Sequence, residues 1–65
     1  MELRPMERRF VEAIWDGKSQ KEAAMEMGMT PPDAHHLVRR MKKRAGLPST
    51  IALLRRLVRE GVLQA

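Results

Sequence analysis

Apolar residues recur along this chain at three- and four-residue intervals, and no segment alternates with a period of two, so the pattern predicts helices and no strands. Breakers interrupt it at Gly17, Gly28, Pro31-Pro32, Gly46-Leu47-Pro48 and Gly61, which leaves four short helical segments. The first is expected from about Pro5 to Trp15, because proline suits the opening position of a helix, where its missing N–H goes unused. Leu3, Met6, Phe10, Ala13 and Ile14 form its inner side, Trp15 packs at its rim, and Asp16-Gly17 ends it. The second starts at Ser19, where Ser19-Gln20-Lys21-Glu22 has the form of a capping box. Its Ala23, Ala24 and Met27 face inward, and two alanines let another helix approach closely. Gly28 falls where a left-handed helix terminus is needed.

Met29 then plugs a tight turn, and Thr30 caps the third helix, whose first turn accommodates Pro31 and Pro32. This helix is expected to run to about Ala45, with Gly46 as its stop and Ala34, Leu37, Val38, Met41 and Ala45 as its apolar stripe. His35, His36, Arg39, Arg40 and Lys43 occupy its other faces, flanked by Lys42 and Arg44. Ser49 caps a fourth helix that ends near Arg59 or Glu60. There Ile51, Leu54 and Val58 make one stripe, and Leu53 and Leu57 widen it beyond the roughly 100° that one core uses. The excess face is a candidate subunit contact, with Leu53, Leu54 and Leu57 at its centre and Arg56 at its rim beside Arg55 and Arg59. The expected architecture is all-α: one domain over 1–65, four short helices, with a helix-turn-helix at its middle.

Composition narrows the function classes. A domain of 65 residues buries only about 60% of the surface its unfolded chain exposes, so a disulfide, a metal or a partner subunit is the usual aid. With no cysteine, disulfides and thiolate metal sites are excluded. His35 and His36 are adjacent, and neighbouring helical side chains point about 100° apart, a poor metal pair. A partner subunit is left, and no cofactor is expected. There is no Ser-His-Asp set, no carboxylate pair in an apolar setting and no glycine-rich phosphate loop, so no enzyme is expected either. No apolar run approaches the roughly 20 residues that span a bilayer, and MELRPMERRF lacks the apolar core of a signal peptide; a cytoplasmic location without membrane contact is the expectation.

Charge points to a partner. The net charge is +5, but residues 1–33 carry −2 and residues 34–65 carry +7, with Glu60 the only acid in the second half. Such segregation suits a polyanion, although a solvated basic face is the plainer reading of any such cluster. Here the cations sit on one helix behind a capped helix and a Gly-Met-Thr turn, an arrangement that reads as helix-turn-helix. The second helix of that motif enters the major groove of double-stranded DNA, which is about 12 Å wide. The candidate DNA contacts are Lys21, Thr30, His35, His36, Arg39, Arg40 and Lys43. Plainer readings stand beside them. Lys21 is equally a solvated lysine, the histidines two partly exposed polar residues, Asp33 an acid favoured by a helix N-terminus, and the six methionines core filler and an initiator.

These features resemble the LuxR/GerE-type helix-turn-helix domains from Leu3 to Leu63. The matching stretches are Leu3-x-Pro5-x-Glu7-Arg8, Asp16-Gly17-x-Ser19-x-Lys21-Glu22-x-Ala24, Met27-Gly28-Met29-Thr30, Arg44-Ala45-Gly46-Leu47 and Glu60-Gly61-Val62-Leu63. The resemblance implies a four-helix DNA-binding domain whose third helix reads the major groove and whose fourth forms the dimer contact. Asp33 stands where the family usually has threonine, His35 where it has lysine and Leu37 where it has histidine, so the family's base preferences do not carry over. The function expected is that of a sequence-specific transcriptional regulator, a homodimeric repressor on an inverted-repeat operator. The alternative is a protein-binding adaptor, an antagonist that pairs with a larger LuxR-type regulator and no longer binds DNA.

Overall fold

The computed structural model describes residues 1–64. It contains four helices and, among the described residues, no strand: α1 (Pro5–Trp15), α2 (Gln20–Glu26), α3 (Pro31–Ala45) and α4 (Thr50–Arg59). The starts follow from side chains that satisfy free N–H groups. Ser19 Oγ accepts from Glu22 N–H at 3.1 Å, Thr30 Oγ1 from Asp33 N–H at 3.3 Å and Ser49 Oγ from Ala52 N–H at 3.1 Å. Glu22 answers Ser19 by accepting its N–H at 3.0 Å, which completes the capping box.

One device recurs at the four exits. After α2, the Met29 N–H reaches back to the Ala24 carbonyl (2.9 Å) and the Gly28 N–H to that of Met25 (3.2 Å). Gly28 has φ +69°, a conformation that side-chain-bearing residues avoid. The same pair of bonds closes α1 at Gly17-Lys18, α3 at Gly46-Leu47 and α4 at Gly61-Val62. Only Met27 to Thr30 separate α2 from α3, so the two helices are held in a fixed relation by a four-residue turn.

The core joins all four helices. Phe10 and Val11 come from α1, Ala23 and Ala24 from α2, Ala34, Val38 and Met41 from α3, and Leu53 and Leu57 from α4, with Leu63 beyond it. α3 packs against both α2 and α4 and makes its most extensive contact with α2. Ala23, Ala24 and Ala34 are buried and small, which lets those two helices come close.

Two expectations are corrected. Met6, expected on the inner side of α1, is 52% exposed, and Val11 takes an inner place instead. On α4, Leu53 and Leu57 are 1% and 0% exposed, so they belong to the protomer's own core and are not available to a dimer contact. Ile51, read as core, is 65% exposed, and Leu54 and Val58 are only half-buried. Spacing alone offered two neighbouring apolar stripes. The charges choose between them: Arg55 and Arg59 lie on the side of α4 opposite Leu53 and Leu57, and that side must face water.

A buried ion pair ties the start of α1 to the end of α3. Glu7 is 3% exposed. Its Oε1 accepts from Arg44 Nη2 at 2.7 Å and its Oε2 from Arg44 Nη1 at 3.1 Å, a two-pronged contact. Oε1 also accepts the Arg4 N–H at 2.9 Å, and Arg44 Nη2 donates to the Glu2 carbonyl at 3.1 Å. Burial alone would raise the Glu7 carboxyl, but the bonds from Arg44 and Arg4 and their charges outweigh it and hold the group below its ordinary value of 4.5. Its contribution to stability is therefore complete above about pH 4.5 and is lost as the pH falls through the lower folded value. Arg44 is 41% exposed, which places the pair between a surface contact (~0–1 kcal/mol) and a fully buried one (~3–5 kcal/mol on breaking). Glu7→Gln is expected to destabilise by about 2 kcal/mol at neutral pH, lowering the melting temperature by about 10 °C. That gap should narrow in melts run progressively below pH 4.5.

Candidate nucleic-acid interface

α3 presents two opposed lines. Ala34, Val38, Met41 and Ala45, at i, i+4, i+7 and i+11, face the core. Pro32, His36, Arg39 and Lys43 repeat the same spacing two residues out of step, which turns them away from it. Arg40 stands on one side of this outward line and His35 on the other, and all six are exposed. The five candidate contacts read on this helix, His35, His36, Arg39, Arg40 and Lys43, therefore share one solvent-facing surface.

The surface is cationic and uncompensated. Among the described residues, no carboxylate pairs with Arg39, Arg40, Lys42 or Lys43, whereas Arg44 is engaged by Glu7, Lys18 by Glu26 at 2.5 Å and Arg56 by Glu60 at 2.7 Å. His36, Arg39, Arg40, Lys42, Lys43 and Leu47 line one open concavity. Arginine and lysine supply donors alone, so this wall suits an anion or a row of acceptors. The His35 and His36 rings meet edge to face with centroids 6.4 Å apart. Among the described residues, no group of three or more His, Cys, Asp or Glu side chains is placed to hold a metal ion.

The remaining candidates lie elsewhere. Thr30 is exposed at the start of α3, its hydroxyl oxygen accepting the Asp33 N–H. Lys21 is exposed in the first turn of α2, so it comes from a different helix. Asp33 is exposed, and among the described residues its carboxylate has no hydrogen-bond or ion-pair partner. It borders a second concavity of about 340 Å³ with Met6, Met29, His36, Leu37 and Arg40. The parts played by Met6 and Leu47 in these walls were not foreseen; both come from outside α3, and no periodicity within α3 signals them.

The outer face of α4 is a separate surface. It carries Ile51, with Leu54 and Val58 at its shoulder and Arg55 and Arg59 alongside. Arg56, expected to rim a dimer contact, is half-buried, and its Nε donates to Glu60, whose carboxylate also holds the Met1 ammonium. Those two cations hold the Glu60 carboxyl below its ordinary value. No helix among the described residues is long and apolar enough to cross a membrane. No protein-family model matches the chain, and comparisons with curated proteins and with solved structures likewise returned no match.

Proposed function

We propose that this chain is a helix-turn-helix protein of the LuxR/GerE type that binds double-stranded DNA in a sequence-dependent way and regulates transcription. The observation that carries the reading is the outward surface of α3, where Arg39, Arg40 and Lys43 are exposed, with half-buried Lys42 at the flank, and have no ion-pair partner among the described residues, on the other side of the helix from a line committed to the core. α2 braces α3 across the Gly28 turn, and the 15 residues of α3 make a rod about 22 Å long that fits a groove about 12 Å wide. Arginine and lysine then meet phosphates or guanine edges, and His35 and His36 lie nearer the helix start, where base edges are reached. Two copies, paired through Ile51, Leu54 and Val58, would set two such helices about 34 Å apart on an inverted repeat, as a repressor requires.

The test is binding of fluorescent duplex DNA over a salt series from about 50 to 200 mM. The logarithm of the affinity should fall linearly with the logarithm of salt, with a slope of about −0.9 for each phosphate engaged. Failure to bind any duplex at the low end overturns the proposal. A second reading has one observation in its favour: the α4 face offers Ile51 to solvent, which also suits an antagonist that caps a larger LuxR-type regulator. Such a protein would form a mixed complex with its target and leave duplex DNA free.

A further inference from the structure

We propose that Asp33 determines base specificity and selects a cytosine in the major groove, an inference that rests on the DNA-binding reading of α3. α3 is divided along its length. Its cations without an ion-pair partner among the described residues, Arg39, Arg40, Lys42 and Lys43, all lie in its C-terminal half, while Pro31, Pro32, Asp33, His35 and His36 fill the exposed N-terminal half, which holds no permanent positive charge. In helix-turn-helix proteins the N-terminal residues of the reading helix contact base edges. The two halves thus have different tasks: the second grips the backbone and the first reads.

Asp33 is the third residue of α3. Its backbone N–H is spent on Thr30, and its carboxylate is exposed and without a partner among the described residues. An ionised carboxylate only accepts hydrogen bonds. In the groove it is repelled by phosphates, by guanine O6 and N7, by thymine O4 and by adenine N7. Two donors remain, cytosine N4 and adenine N6, and the adenine amine lies beside the N7 acceptor while the cytosine amine does not. Cytosine is the base that offers an amine with no acceptor on its own major-groove edge to oppose the carboxylate. His36 shares the concavity beside Asp33 and offers a ring N–H to the guanine of the same pair. The carboxylate therefore discriminates chiefly by penalising every other base.

The experiment selects bound duplexes from a random-sequence pool with the wild type, Asp33→Asn and Asp33→Thr, after circular dichroism has shown that all three are folded. The wild type should return a motif with an invariant cytosine in each half-site, and replacing that C·G by T·A should weaken binding roughly 5- to 150-fold. Asp33→Thr should lose the preference at that position alone and bind random duplex more tightly. Asp33→Asn should change the preferred base to adenine, which asparagine reads through N6 and N7. A motif that keeps its cytosine in Asp33→Thr, or wild-type binding with no base preference, overturns this inference and leaves DNA binding standing. Retention of no duplex by any of the three overturns both.

Discussion

Leu57→Glu is expected to unfold the protein, with loss of the helical circular dichroism signal and of the cooperative melt. Leu57 is 0% exposed and is one of the four largest fully buried side chains, with Phe10, Met41 and Leu53. Truncating a buried leucine costs about 2–5 kcal/mol, and glutamate adds a carboxylate with no partner in that setting. A chain of this length has a total stability of roughly 3–10 kcal/mol, so the loss is comparable to the whole. The control is Ile51→Glu, six residues earlier on the same helix but 65% exposed. It should shift stability by no more than about 0.5 kcal/mol. It should also weaken any two-chain complex on an inverted repeat, since Ile51 sits on the face left to a second copy. A folded Leu57→Glu protein with an unchanged melt would show that α4 is turned the other way.

The second large effect is on DNA. Replacing Arg39 and Arg40 together by alanine should reduce affinity about thirtyfold or more, at about 1–3 kcal/mol for each arginine that touches the duplex. If both meet phosphates, the salt slope should become shallower by up to about 1.8 and all sequences should weaken alike. If either reads a base, the loss should concentrate on the preferred sequence. Arg8→Ala with Arg9→Ala removes the same charge from two exposed positions of α1 and serves as the comparison. Both double variants should melt close to the wild type, because none of the four side chains is buried. Equal losses from the two pairs would mean that net charge, and not the α3 surface, holds the DNA.

The elements were legible in the sequence because their ends are written locally. Ser19, Thr30 and Ser49 act within three residues of themselves, and Gly28 and Gly46 terminate the helices before them through bonds that span three or five residues. The outward cations of α3 were legible for a related reason: a 15-residue helix fixes which residues oppose Ala34, Val38 and Met41. What escaped were the relations between helices. Glu7 and Arg44 are 37 positions apart, each reads as an ordinary surface charge, and only the packing of α1 beside the end of α3 joins them. The facing of α4 was missed because two apolar stripes were weighed by their apolar members alone. The arginine stripe opposite Leu53 and Leu57 carried the deciding information.

The local start and stop signals have a consequence for how such a protein changes over generations. His36, Arg39, Arg40 and Lys43 neither cap α3 nor terminate it, and they lie outside its buried line. Drift at these four positions is thereby uncoupled from foldability. A lineage can explore new residues there one at a time, through viable intermediates, and transplanting a set from a cousin exchanges the surface without rebuilding what supports it.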